Sequence, residues 1–158
     1  MIWCSLMRFI KESVINASPQ RVFSFHELPD ALERLIPPWE DVEVIQKADI
    51  RQVGSRAIIK IRILGPIREL WVAEHTIYEP PHVFEDIQVD GPWKYWRHRH
   101  FVETHEYGAV LRDEIEYTAP FGVLGEFAVN LVMGDKLAKT FDYRHEVTRK
   151  WCEEIHPT

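Results

Sequence analysis

The chain has 158 residues, 46% hydrophobic and 28% charged, with 19 basic against 25 acidic side chains and a net charge of −6. That length suits one domain, 1-158, able to bury roughly 68–70% of its unfolded surface, and the composition argues against disorder. An acidic chain without a Lys/Arg cluster is a poor partner for nucleic acid or anionic membrane, and no apolar run approaches the ~20 residues that cross a bilayer.

Residues 7–16 suit a first strand. Ser18-Pro19 then starts a helix: the serine can cap, and proline at the first helical position lacks only an N–H that would be unpaired anyway. Val22, Phe23 and Phe25 give this helix its apolar side, and Pro29 interrupts it. A second short helix, Asp30 to Leu35, ends at Pro37-Pro38, so the two form a V and not a rod. Strands are expected at Val42–Lys47, Ser55–Leu64, Arg68–Tyr78, Val83–Asp90, Lys94–Glu103 and Ala109–Thr118, with Gly/Pro-rich turns between them. After Gly122 the period changes from two to 3.6. Phe127, Leu131, Gly134, Ala138, Phe141, His145, Thr148 and Cys152 trace one face of a helix from about Leu124 to Trp151. The class is α+β: an antiparallel meander of six to seven strands that curls around one long C-terminal helix.

Cys4 and Cys152 stand near opposite ends and form no spaced metal or redox motif. The start, Met1-Ile-Trp-Cys-Ser-Leu, lacks the basic region and cleavage site of a signal peptide, and Met7 is an alternative start. A cytoplasmic protein is expected.

Turn lengths and side-chain parity predict which residues share a face. A four-residue turn at Glu79–His82 sets Ile77 opposite Phe84, His75 opposite Asp86 and Ala73 opposite Gln88. A similar turn at His105–Gly108 sets Val102 opposite Leu111, His100 opposite Asp113 and Trp96 opposite Tyr117. If Gly91-Pro92 preserves parity, His75, Asp86, His98, His100 and Asp113 lie on one face with Trp71, Phe84, Gln88, Trp96 and Tyr117. Glu85, Arg97, Arg99, Arg112, Glu114 and Glu116 then face solvent.

Polar groups on an enclosed apolar face must be hydrogen-bonded or meet a ligand, since an unpaired one costs about 1–3 kcal/mol. Three roles stay open for them: a structural network, contacts that orient a ligand's polar end, or acid/base catalysis with His98, Asp86, His100 and Asp113 as candidates. Two histidines and a carboxylate also match a facial iron triad in composition. With no Rieske-type motif, HExxH or CxxC, no metal and no cofactor are expected. Phe127, Leu131, Phe141 and His145 on the last helix would complete a cavity lining. Arg144, beside that stripe, is expected in a salt bridge.

The stretches Ala17-Ser-Pro-Gln-Arg-Val-Phe-Ser-Phe-His26, Leu35-Ile-Pro-Pro-Trp39, Trp71-Val-Ala-Glu-His-Thr76, Phe84-Glu-Asp-Ile-Gln88, Gly91-Pro92, Trp96-Arg-His-Arg-His100, Asp113 with Tyr117, and Phe141-Asp-Tyr-Arg-His145 carry a resemblance. In their order, the chain resembles the SRPBCC (START/Bet v 1-like) superfamily, in its cyclase/dehydrase-like and coenzyme Q-binding-like branch. The resemblance implies a helix-grip fold and an internal cavity for a lipid, isoprenoid or aromatic molecule. Some members carry an added NAD-dependent epimerase-like domain, and others are polyketide aromatase/cyclases. The expectation is a carrier of a hydrophobic small molecule. An aromatase/cyclase- or dehydratase-like enzyme and a protein-docking module are the rivals, and a homodimer stays open.

Overall fold

The computed structural model describes residues 5–120 and 122–154, with side chains described except at positions 64, 122–124, 126, 130 and 131. Cys4, the Met1 start and the Leu131 side chain lie outside the described set. Strand β1 (Met7–Ile15) leads to helices α1 (Pro19–His26) and α2 (Ala31–Arg34). Strands β2 (Val42–Gln46), β3 (Arg56–Leu64), β4 (Ile67–Glu79), β5 (Val83–Asp90), β6 (Tyr95–His105) and β7 (Gly108–Thr118) follow, and helix α3 (Gly122–Glu153) closes the order. The strands form one antiparallel sheet in the order β1-β7-β6-β5-β4-β3-β2, the open curved sheet of a helix-grip fold.

Ser18 caps α1 as its sequence position implies: Oγ accepts from the Arg21 N–H at 3.2 Å, with Pro19 in the first turn. Arg21 also ties α1 to the end of α3. Its Nε donates to the Cys152 carbonyl at 3.2 Å and its Nη2 to that of Trp151 at 3.1 Å, in the last turn of α3. The guanidinium lies over the Trp151 ring at 4.2 Å. Gly108 starts β7 at φ 133°, where a Cβ would stand 2.4 Å from the Ile15 carbonyl oxygen, so only glycine fits between β7 and the end of β1.

The register of β6 with β7 agrees with the turn arithmetic: Val102 pairs with Leu111, His100 with Asp113 and Trp96 with Tyr117. Parity also holds from β5 to β6, where Asp86 pairs with His98. Between β4 and β5 two departures cancel. Glu79 pairs with Val83, so the loop is one residue shorter than expected and Ile77 meets Glu85, not Phe84. The register then shifts between His75 and Ile77, an extra-residue bulge at Thr76 that restores His75 to Asp86 and Ala73 to Gln88.

The last helix covers the sheet with a face that departs from the expected stripe. Phe141, His145, Thr148 and Cys152 are buried. Phe127 is 69% exposed, and Gly134 and Ala138 are exposed as well. Met133 and Leu137 pack instead, one residue back and about 100° around the helix. Apolar area drives burial, and a glycine and an alanine offer little of it. The buried half of α3 runs alongside β1 in the same direction: Phe141 meets Phe9 at 5.5 Å, His145 meets Ser13, and Glu153 accepts from the Asn16 N–H.

On the opposite sheet face, Arg97 pairs with Glu116 and Arg99 with Glu85. Glu85 itself is only 6% exposed, in contrast to the solvent position expected of it, because Arg99 and the Thr76 hydroxyl (2.7 Å) cover its carboxylate.

Candidate functional site

The inner face of β6 reads Trp96, His98, His100, Val102, and that of β7 reads Leu111, Asp113, Ile115, Tyr117. Apolar ends thus enclose a polar middle. Val102 and Leu111 belong to one apolar cluster with Phe23, Phe25 and Phe84. Trp96, Ile115 and Tyr117 belong to another with Leu137 and Phe141. Between them lies a buried group of imidazoles and carboxylates.

Asp113, 3% exposed, is its hub. His98 donates from Nε2 to Oδ1 at 2.7 Å, and His145 from Nε2 to Oδ2 at 2.6 Å. The other nitrogen of His145 meets the Ser13 hydroxyl at 2.8 Å. His100 Nδ1 also stands 2.7 Å from Oδ1, but off the hydrogen-bond direction, which makes it a charge contact. Burial alone would raise the Asp113 pKa; His100, His145 and His98 outweigh it and hold the carboxyl well below its usual range.

Asp86 is arranged differently. Its Oδ2 lies 3.7 Å from His98 Nδ1 and 3.6 Å from His100 Nε2, both beyond hydrogen-bond reach. Burial opposes its ionisation, yet His100 and His98 hold its pKa below the usual value. Burial lowers His98, with His100 adding to the effect. Against burial, Asp113 and Asp86 raise His100. His75, also lowered by burial, has its Nδ1 buried with no hydrogen-bond partner.

These groups border a cavity of about 220 Å³ between the sheet, the α1–α2 pair and α3. Of the residues singled out in the sequence, Trp71, His75, Phe84, Asp86, Trp96, His98 and His100 line it. Asp113, Tyr117, Phe141 and His145 are buried outside its lining. Gln88 is occupied elsewhere: its amide brackets the Trp93 backbone, donating to the carbonyl at 2.7 Å and accepting from the N–H at 3.2 Å. Phe127 points to solvent.

Sequence reasoning missed much of the wall, including Lys47, Ala48 and Ile50 between β2 and β3. Leu28, Leu32 and Leu35 come from the helix pair, and Ala57 and Ile59 from β3. His26 enters from α1, where its Nδ1 donates to the Val22 carbonyl at 3.1 Å and burial pushes its pKa down to about 3. Arg144 enters from α3. The salt bridge expected of it is not formed with any described residue; its Nε donates to the Leu35 carbonyl at 3.1 Å and its guanidinium lies over Phe141 at 4.9 Å. The cation borders the cavity, and burial lowers its pKa. The only signal for it was the 3.6 period, which sets residue 144 beside the buried stripe. Pro37-Pro38-Trp39 packs on α3, with Trp39 edge-on to Tyr143 at 5.4 Å, and is not part of the lining.

Among the described residues no helix is long and apolar enough to cross a membrane. No curated protein matches the chain. Among solved structures, norcoclaurine synthase from Thalictrum flavum, in complex with dopamine and hydroxybenzaldehyde, superposes with a TM-score of 0.69 at 17% identity, covering 98% of this chain and 91% of that one. Protein CV1439 from Chromobacterium violaceum gives a TM-score of 0.68 at 13% identity over 94% of this chain and 99% of its own. A nucleoside-diphosphate sugar epimerase from Corynebacterium glutamicum gives 0.68 at 20% identity over 90% of this chain and 28% of its own. These likenesses concern the fold. The family model described as polyketide cyclase / dehydrase and lipid transport matches residues 15–146, and the chain belongs to that family.

Proposed function

We propose that the chain binds a small aromatic or short isoprenoid compound carrying one polar group. The observation that carries this reading is the 220 Å³ cavity, walled by Trp71, Phe84 and Trp96 and bordered on one side by imidazoles, Asp86 and Arg144. Its volume lies below the ~300–1,000 Å³ of drug-sized sites. A ring compound fits that space better than a full-length lipid. His75 Nδ1 is buried without a partner and is free to meet the polar group, since buried polar atoms without partners are rare; the Arg144 cation beside the cavity adds a positive charge.

Native mass spectrometry of freshly purified protein, followed by solvent extraction, tests the reading. A retained apolar compound, or tryptophan quenching that saturates with naphthol or geraniol, is the expected result. Protein that carries nothing and leaves its fluorescence unchanged by either compound would end it.

A second reading has one observation in its favour. His98 is bonded to Asp113 at 2.7 Å and borders the cavity, the arrangement of a base whose tautomer is fixed by a carboxylate. In an acid/base enzyme of the cyclase or dehydratase kind, His98→Gln would abolish turnover while leaving ligand affinity within a few-fold; in a carrier it changes affinity alone.

A further inference from the structure

The three cavity-bordering groups Asp86, His98 and His100 present their free atoms to one another. Asp113 Oδ1 can only accept from His98, so Nε2 carries the proton and Nδ1 keeps its lone pair. That lone pair faces the Asp86 carboxylate at 3.7 Å with no proton between them to share. His100 has Nδ1 against the same Asp113 oxygen and points Nε2 at Asp86 across 3.6 Å. The nearest imidazole nitrogens to the Asp86 carboxylate stand at 3.6 and 3.7 Å, just outside hydrogen-bond length. One oxygen and two nitrogens, all within 4.8 Å of one another, thus converge on a common point.

We propose that Asp86 Oδ2, His98 Nδ1 and His100 Nε2 bind one divalent first-row transition ion, of the Zn²⁺ or Fe²⁺ kind. At metal–ligand distances of about 2.0–2.2 Å, ligands at 90–110° stand roughly 3.0–3.5 Å apart; the two carboxylate–imidazole edges, 3.6 and 3.7 Å, need to close by a few tenths of an ångström, and the edge between the two imidazole nitrogens lies within 4.8 Å. Two imidazoles and one carboxylate are the donor set of such ions, with positions left open. Asp113 accepts the other N–H of His98, as the carboxylates that orient metal-ligating imidazoles do, and His145 and Ser13 fix it in turn; His100 is held by its charge contact with Asp113 and its stack on Phe84. All three ligands line the cavity, so a bound compound's oxygen could complete the coordination. The inference rests on the triad's own geometry and not on the ligand reading above.

The test uses whole protein dialysed against EDTA, titrated with Zn²⁺ by calorimetry and with Co²⁺ by visible absorption. One ion per chain is expected, with a dissociation constant on the order of 1 μM or tighter. Asp86→Asn weakens it at least tenfold, whereas His82→Gln on the exposed turn leaves it unchanged. Should Asp86→Asn not fold, the Co²⁺ form of the native chain still decides, since its paramagnetically shifted proton spectrum must contain two imidazoles. No saturable binding, equal affinity in Asp86→Asn, or fewer than two shifted imidazoles would overturn the site. Naphthol binding by the EDTA-treated protein reports on the ligand reading separately.

Discussion

The imidazole of His100 lies flat against the ring of Phe84, with centroids 3.9 Å apart and planes 9° from parallel. The two residues are cross-strand partners in β5 and β6, so the stack is fixed by register. A ring held on one face in this way cannot swing freely, and its two nitrogens stay beside Asp113 and Asp86.

Phe84→Leu keeps apolar volume but removes the flat face. The loss expected in urea unfolding is about 1–2 kcal/mol, combining the aromatic pair with imperfect repacking. His100 ring resonances should broaden as the imidazole gains freedom. Unchanged line widths would show that Asp113 alone orients it.

Asp113→Asn replaces the hub with a neutral amide that has one acceptor oxygen for the two bonds from His98 and His145 and no charge to offer His100. Loss of a buried charged partner costs about 3–5 kcal/mol. Ser13→Ala removes a single bond at the network's edge and should cost only about 1 kcal/mol. The two variants rank the network's members by urea midpoint, and equal losses would contradict the hub assignment.

Ala73→Leu adds bulk to the cavity wall. Naphthol affinity is expected to fall at least tenfold while the melting temperature holds or rises, because filling a void adds contacts without removing any. Full affinity in this variant would place the compound somewhere else on the molecule.

Acid sensitivity follows from His26. Its pKa is about 3 in the fold against 6.5 ordinarily, so between those values the unfolded chain binds the proton and the folded chain does not. Stability therefore falls as pH drops from about 6.5 toward 3, by up to about 1.4 kcal/mol per pH unit for this one group, and is flat with respect to it above 6.5. His26→Phe should show a shallower decline in urea midpoint between pH 6 and 4. Parallel profiles for the two proteins would remove His26 from the account.

Much of this site was legible because strand parity is forgiving. His75 and Asp86 were matched correctly although the loop between them is shorter than assumed, since the bulge at Thr76 returns the missing residue. Neither the short loop nor the bulge leaves a period-two signature, so only their sum was visible. The buried half of α3 was readable where large apolar residues fall on one stripe, and misread at Gly134 and Ala138, where the stripe offered little area. Arg144 and His26 were not foreseen as cavity groups. A charged or polar residue at helical spacing looks the same whether it faces water or a cavity, and the choice depends on how the α1–α2 pair sits over the sheet.

Strand β1 is made first, yet its ladder neighbour is β7, with Met7 beside Tyr117 and Ile15 beside Ala109. A ribosome adding about 5–20 residues per second emits the partner several seconds later. Until then β1 waits as an unmatched ribbon, and the α1 cap on the end of α3 waits longer still. Acquisition of the native state is thereby gated by synthesis of β7, and a nascent chain halted before residue 109 should leave its first strand available to chaperones.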